Sequence, residues 1–364
     1  MSGPGGFVPP PYPYDRLDDA KASASAFDGG IVDLSIGTPF DPPPPEVVAA
    51  LSTSGTERGY PASIGSTRLR EAAVEWMARR FGVEVPLAGV AACVGTKEFV
   101  AGVVAYLRLR TPGRDTVLFP AVAYPTYEMG AILAGCRAVA VDDLAEVGDD
   151  DAARALCLWV NSPANPTGAL ADLGTAAAWG RARGVPVLSD ECYAEFTWDG
   201  LPHTILEHGL DGVLAVHSLS KRSNLAGLRV GFYAGDADLV HYLSEVRKHA
   251  GFMVPGPMQA AAAVALDDDA HVDAQRERYL ERLWYFADVL RAEGAKVDMP
   301  GGSFYLWAQA PNGDAWAFTN DLARRGGVLV SPGDLYGPAG AGRVRVAMVQ
   351  PMERLALVAE RLGV

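Results

Sequence analysis

Between residues 90 and 234 the apolar positions come in short unbroken runs, and the polar positions gather at the ends of those runs. The runs are residues 90–94, 116–119, 138–141, 156–160, 185–189, 213–216 and 230–234. Each is bounded by turn-forming or polar residues and reads as a short strand buried on both faces. Helical segments separate most of them. Strands alternating with helices argue for a mostly parallel sheet covered on both sides, an α/β architecture. Polar residues then follow the strands' carboxyl ends: Tyr124 beyond 116–119, Asn161 and Asn165 beyond 156–160, Asp190 and Tyr193 beyond 185–189, and Lys221 beyond 213–216. Ligands of open α/β sheets bind outside those ends.

The flanks have another texture. Residues 1–14 are mostly Gly, Pro and aromatic residues without periodicity, an arm whose Phe7, Tyr12 and Tyr14 suit docking on some other surface. Residues 15–27 predict a short helix and 31–36 a short strand ending at Gly37. The prolines of 42–45 break the chain and set up a helix over 46–51, the first crossing between domains. After a loop holding Tyr60 and Pro61, residues 68–81 place Leu69, Ala73, Trp76 and Met77 on one face of an amphipathic helix. From about residue 270 a long helix over 272–293 is followed by Gly301-Gly302 and a strand over 303–309. A helix (316–325), a strand (328–331), a glycine-rich turn (333–342), a strand (343–348) and a final helix complete a separate α+β layer.

A chain of 364 residues with 49% hydrophobic residues is long enough for one large domain and a smaller one. Its net charge of -13 offers no basic patch for nucleic acid or anionic membrane. The apolar runs are too short to span a bilayer and no signal-peptide pattern opens the chain, so a cytoplasmic protein is expected. Cys93, Cys136, Cys157 and Cys192 are scattered without a C-x-x-C pair, and the six histidines show no ligand spacing. No metal is expected. Asp149-Asp-Asp151 and Asp267-Asp-Asp269 read as solvated loops or helix starts.

The residues alone leave the chemistry open. Lys221 ends a buried strand, where partial burial disfavours its charge and makes the amine a nucleophile towards carbonyls, but a surface loop lysine fits the stretch equally well. Gly95-Thr96 turns a strand into a helix and aims free backbone N–H groups at one spot, as every such turn does. Asp190 could cap the next helix, Asn165-Pro-Thr-Gly168 could be a simple turn, and Tyr124 could be a core tyrosine at a strand end.

The ordered set says more than its members. Asn161-Ser-Pro-Ala-Asn165-Pro-Thr-Gly168, Asp190-Glu-Cys-Tyr193 and Ser218-Leu-Ser-Lys221 with Arg229 each follow a buried strand. With Leu34-Ser-Ile-Gly37, Gly95-Thr-Lys-Glu98, Tyr124-Pro-Thr-Tyr127 and Gly342-Arg-Val-Arg345, the chain resembles the class I and II aminotransferases of fold type I across nearly its whole length. The resemblance implies a pyridoxal 5'-phosphate enzyme. It implies an N-terminal arm and part of a small domain over 1–40, a large cofactor-binding domain over 41–270, and the rest of the small domain over 271–364.

It also assigns roles. Lys221 corresponds to the Schiff-base lysine, which later serves as a base; Asp190 faces the pyridine nitrogen; Tyr193 and Asn165 hydrogen-bond the cofactor's phenolic oxygen; Tyr124 stacks on its ring. The backbone at Thr96 and Lys97, together with Ser218 and Arg229, holds the phosphate, with Tyr60 reaching from a second subunit of a homodimer. Arg345 forks the substrate's α-carboxylate, aided by Gly37 and Asn165. Arg343, two residues earlier, shares its face, and Arg345 is preferred because it directly precedes Val346-Ala347. Residues 11–17, 32–39 and 220–227 look like the N-succinyldiaminopimelate aminotransferases of bacterial lysine synthesis. These use glutamate as donor and a succinylated amino-keto-pimelate as acceptor. Lys97, Arg222 and Arg16 are the cations that could meet a distal carboxylate.

Other amino/keto acid pairs, and β-elimination from a sulfur amino acid, would use the same fold and lysine. Ser218-Leu-Ser-Lys221 also satisfies S-x-x-K, but the S-D-N and K-T-G boxes of acyl-serine enzymes are absent. A regulator built on this fold would need an added DNA-binding module, for which the acidic chain shows no segment.

Overall fold

In the computed structural model, which describes residues 6–364, the apolar runs become strands. The opening five residues of the arm lie outside the described residues. In chain order the strands are β1 (Val32–Asp33), β2 (Val90–Cys93), β3 (Thr116–Phe119), β4 (Arg137–Ala140), β5 (Ala155–Asn161) and β6 (Val187–Asp190). There follow β7 (Val213–Ser218), β8 (Gly231–Gly235), β9 (Tyr305–Gln309), β10 (Val328–Leu329), β11 (Ser331–Pro332) and β12 (Arg343–Ala347).

Seven of them form the main sheet in the order β2-β8-β7-β6-β5-β3-β4. Pairing is parallel from β7 through β6, β5 and β3 to β4. β8 runs antiparallel to both β7 and β2. A parallel return needs a crossover of a dozen or more residues, whereas the chain between β7 and β8 folds back through a four-residue helix and a 3-10 turn. The unbroken apolar runs have a direct cause. On β7, Val213 and Ala215 enter one core while Leu214 and Val216 enter the other, and all four are fully buried. A strand covered on both faces has no solvent side on which to place polar residues.

The helix Thr67–Phe81 shows the local logic. Ser66 caps it by accepting from the Leu69 N–H at 3.2 Å, and Gly82 ends it in the left-handed conformation. Leu69, Ala72, Ala73, Trp76 and Met77 recur at helical spacing and are buried against the main sheet. This is the predicted face.

Residues of the N-terminal segment pack with the C-terminal part. Val32 and Leu34 share a core with Leu283, Phe318, Val346 and Leu355, and Leu17, Ala20 and Ala24 pack with Ala323 and Tyr336. The strand expected over 31–36 is only β1, paired in parallel with β10. The strand expected over 328–331 is divided. β10 pairs with β1, whereas β11 turns to pair with β12, and Pro332, lacking an N–H, sits at the end of this edge strand.

The two aspartate triplets differ. Asp149 opens the helix Asp149–Arg154 as expected. Asp267 to Asp269 are more than a solvated loop: Asp267 pairs with Arg68, Asp268 with His271 at 2.9 Å, and Asp269 with Arg79 and Arg222 at 3.1 Å each. Among the described residues no helix is long and apolar enough to cross a membrane. Nor is any group of three or more His, Cys, Asp or Glu side chains placed to hold a metal ion.

Candidate active site

The carboxyl ends of β5, β6 and β7 open onto a cavity of about 410 Å³. It is bordered by Thr96, Lys97, Tyr124, Asn165, Asp190, Tyr193, Ser218, Lys221 and Arg229, and by Gly37 and Arg345 from the other layer. These predicted residues, far apart in sequence, thus share one space. Tyr60 is 99% exposed on the surface of this chain and does not reach its cavity.

Lys221 owes its position to a single turn of helix. Ser218 ends β7 and its hydroxyl accepts from the Ser220 N–H at 3.1 Å, starting the short helix Leu219–Arg222. That turn carries Lys221 back over the strand tips, where its amine donates to the Gly37 carbonyl and lies 6.0 Å from the centre of the Phe304 ring. Burial lowers the amine from its ordinary 10.5 to about 8; Arg345 and Arg229 add repulsion, while Cys192 and Asp190 work the other way. The fraction of neutral, nucleophilic amine therefore rises as pH rises through about 8. Acylation of Lys221 in the cofactor-free protein, followed by mass spectrometry, is expected to reach half its limiting rate near that pH. A midpoint close to 10.5 would show that the cavity does not tune this group.

Asp190 ends β6 with its carboxylate inside the cavity, only 6% exposed. It accepts from the Tyr127 hydroxyl at 2.8 Å and from the Cys192 N–H at 3.2 Å. Burial pushes its pKa up, and the hydrogen bonds from Cys192 and Tyr127 oppose this. A buried carboxylate in that balance favours a protonated nitrogen beside it.

Asn161, at the end of β5, fastens the neighbouring loop. Its amide donates to the Asp190 carbonyl at 2.7 Å and its oxygen accepts from the Asn165 N–H at 2.7 Å. Asn165 in turn accepts from Arg345 Nη1 at 2.8 Å, and Arg345 Nη2 donates to the Ser35 carbonyl at 2.5 Å. The Arg345 guanidinium carbon lies 4.3 Å from the Tyr305 ring centre and 4.7 Å from that of Tyr336. Arg343 is exposed where Arg345 is buried. Other buried arginines have carboxylate partners: Arg222 meets Glu195 at 3.0 Å, Arg247 meets Glu98 at 2.6 Å and Arg282 meets Asp41 at 2.6 Å. Arg345 has none among the described residues, and so presents a buried cation to the cavity.

A cradle for an anion lies beside these groups. The helix Thr96–Arg110 starts at Gly95, whose φ is 73°. A Cβ there would lie 2.1 Å from Arg229 Nη2, so the guanidinium packs against bare backbone at the helix N-terminus. Arg229 itself is held at φ 53° and donates to the Ala226 carbonyl at 2.9 Å. This left-handed conformation costs a residue other than glycine about 1 kcal/mol or more and persists where the surroundings fix it. Ser218 borders the same space.

Pyridoxal phosphate fits this donor set. Thr96 and Lys97 through their backbone, with Ser218 and Arg229, would hold its phosphate, Asp190 its ring nitrogen, Tyr193 and Asn165 its phenolic oxygen, Tyr124 its face, and Lys221 its aldehyde carbon. Tyr193 is buried and its hydroxyl lies 2.8 Å from that of Tyr305, with burial raising its pKa well above the ordinary value.

Several residues at the site were not singled out by their sequence context. Tyr127, in the first turn of the helix Thr126–Leu133, reaches Asp190 with its hydroxyl, and only its place in the Tyr124-Pro-Thr-Tyr127 motif marks it in the sequence. Tyr12 and Tyr14, expected only to dock the arm somewhere, do dock and border the cavity, with Tyr14 hydrogen-bonded to Tyr336 at 2.9 Å. Tyr305, from β9, borders it too, and nothing in its local sequence marks it. Two suggested cations are excluded from the cavity. Arg222 is buried against Glu195 and Asp269, and Arg16 pairs with Asp334 at 3.0 Å while lying over Trp316.

Comparison with known proteins is consistent with this geometry. Residues 30–362 match the model of the family "Aminotransferase class I and II". A probable aminotransferase of Mycobacterium tuberculosis is 47% identical over 97% of this chain and 85% of its own. The 4-dedimethylamino-4-oxo-anhydrotetracycline transaminase of Streptomyces rimosus is 43% identical over 97% of this chain and 99% of its own. Among solved structures, a probable N-succinyldiaminopimelate aminotransferase of Thermus thermophilus is 31% identical, covers 96% of this chain and 99% of its own, and superposes with a TM-score of 0.86. The chain belongs to the class I and II aminotransferases, a family of pyridoxal-phosphate-dependent enzymes built on the fold type I architecture.

Proposed function

We propose that this aminotransferase moves an amino group from glutamate to a keto acid with a second, distal carboxylate, N-succinyl-2-amino-6-ketopimelate, in diaminopimelate and lysine synthesis. The charge on the cavity carries the reading. In a chain of net charge -13, the cavity is bordered by Lys97, Lys221, Arg229 and Arg345 and by a single carboxylate, Asp190. Among the described residues none of these four cations is in an ion pair. Such a site is built for several anions at once.

Arg229 meets the cofactor phosphate and Arg345 the α-carboxylate, which leaves Lys97 for the distal acid. Its amine is placed by Tyr12, 3.2 Å from the hydroxyl and 4.8 Å from the ring centre. The structural likeness to a probable N-succinyldiaminopimelate aminotransferase supports the same choice.

Pyridoxal phosphate supplies the electron sink for bond breaking at the substrate's α-carbon. Lys221 Nζ, lowered towards neutrality, takes the α-proton and returns it on the other side of the exchange. Asp190 keeps a negative charge beside the ring nitrogen, and Arg345 with Asn165 fixes the substrate carboxylate so that the α-carbon faces Lys221. We further propose that Tyr60 completes the site of a second copy, making a homodimer the active unit. Sedimentation showing only monomer in active samples would remove that element. The free thiols of all four cysteines support a cytoplasmic setting.

The test is an acceptor series. Lys97→Ala is expected to lower kcat/KM for the succinylated keto acid about 10-fold, the worth of one charge-assisted hydrogen bond, and to affect pyruvate much less. Equal losses for both would remove the distal-acid reading. The similarity to a tetracycline transaminase supports a second reading, a bulky ketone acceptor. In that case Lys97→Ala leaves the preference among keto acids unchanged.

A further inference from the structure

Beneath the active-site floor lies a pair of ionisable groups that does not border the cavity. Side chains alternate along β6 and β7: Val187, Val213 and Ala215 face one core, and Leu188, Leu214 and Val216 the other. The same alternation turns Asp190 and Ser218 towards the cavity and their neighbours Glu191 and His217 away from it. Glu191 and His217 are 2% and 3% exposed. The His217 ring lies among Trp76, Phe81 and Phe232, at centroid separations of 4.9, 5.9 and 5.1 Å.

Glu191 Oε1 is engaged, accepting from the Ser189 hydroxyl at 2.7 Å and the Ile205 N–H at 2.8 Å. Its Oε2 stands 3.5 Å from His217 Nε2, and neither atom has a hydrogen-bond partner among the described residues. Both residues border a small space of about 10 Å³ shared with Glu195 and Arg222, room for about one water molecule.

Two bare acceptors facing each other repel, and one proton between them makes a bond. That proton belongs to either group by geometry alone, and the surroundings decide. The nearby cation, Arg222, is already taken by Glu195 at 3.0 Å and Asp269 at 3.1 Å, and Glu207 adds negative charge near Glu191. Burial raises Glu191 to about 7 and lowers His217 to about 3, so both groups favour their neutral forms.

We propose that Glu191 and His217 are a positioning pair that shares one proton, the Glu191 carboxyl donating to His217 Nε2 directly or through one water. The bond ties the tips of β6 and β7 together, and so fixes Asp190 relative to Lys221. Glu191 thus acts on catalysis through Asp190 without touching substrate or cofactor.

Glu191→Gln, whose amide keeps a donor, is expected to hold kcat within about 3-fold of wild type. Glu191→Ala and His217→Phe should each lower kcat about 10- to 100-fold with little change in KM, as misplacement of reacting groups does. The double variant should be no worse than the more damaging single variant. In the cofactor-free protein below pH about 7, infrared spectroscopy should show the carbonyl stretch of a protonated carboxylic acid that Glu191→Gln removes. A Glu191→Gln protein as impaired as Glu191→Ala, or a spectrum without that band, overturns the proposal. If Glu191→Ala does not fold, Glu191→Gln and the infrared band still decide, and the band does so independently of the role given to Asp190.

Discussion

Replacing Lys221 with alanine is expected to abolish amino-group transfer, with kcat reduced about 10⁴-fold or more while the protein stays folded and still binds its cofactor noncovalently. Two proposed functions would be lost together, the amine that would hold the cofactor's aldehyde carbon and the base that would carry the α-proton. No other amine stands in for it. Lys97, the remaining lysine on the cavity, is held away at Tyr12. The cradle formed by Thr96, Ser218 and Arg229 is untouched by the change, so cofactor should still be retained. Small primary amines added to the variant should restore part of the rate. A variant within about 10-fold of wild type without added amine would show that the α-proton is moved by some other group.

The second large effect is expected at Arg345. Arg345→Lys should lower kcat/KM for glutamate by about 10² to 10³-fold, mostly through KM, because the buried fork is lost although the charge is kept. The fork has two ends, Nη1 on Asn165 at 2.8 Å and Nη2 on the Ser35 carbonyl at 2.5 Å, and a plane that lies against Tyr305 and Tyr336. A lysine ammonium is a single point and cannot satisfy both ends while meeting a carboxylate in two places. Steady-state kinetics with glutamate measures this. The same loss in Arg343→Lys, with Arg345→Lys near wild type, would reverse the assignment of the carboxylate site.

These expectations rest on Lys221, which follows a buried strand, and on Arg345, which lies within one. Strand position marked Lys221, Asp190 and Asn165 as candidates, because a parallel sheet places polar residues at the carboxyl ends of apolar runs, but their roles came from the ordered motifs that resemble the aminotransferases. Strand register was harder. Alternation put Arg343 and Arg345 on one face, and only the structure shows that Arg343, paired opposite Gln309 at the strand's exposed end, lies outside the core.

The tyrosines around the site were hidden for a different reason. Tyr305 sits on a strand of the other layer and Tyr12 and Tyr14 on an aperiodic arm, so their approach to Lys221 depends on how the layers meet. No local pattern encodes that. Arg222 misled in the opposite direction. It stands next to Lys221 in sequence, yet one residue further along the short helix turns it into the core beside Trp76, 5.6 Å from the ring centre.

The most direct test of the central claim is an absorbance titration of the purified holoenzyme with L-glutamate, followed by keto acids. Glutamate should remove the visible absorbance of the bound cofactor, and N-succinyl-2-amino-6-ketopimelate should restore it with pyruvate acting only weakly. A spectrum that no amino acid changes, or one that changes with release of ammonia or sulfide, would contradict the account.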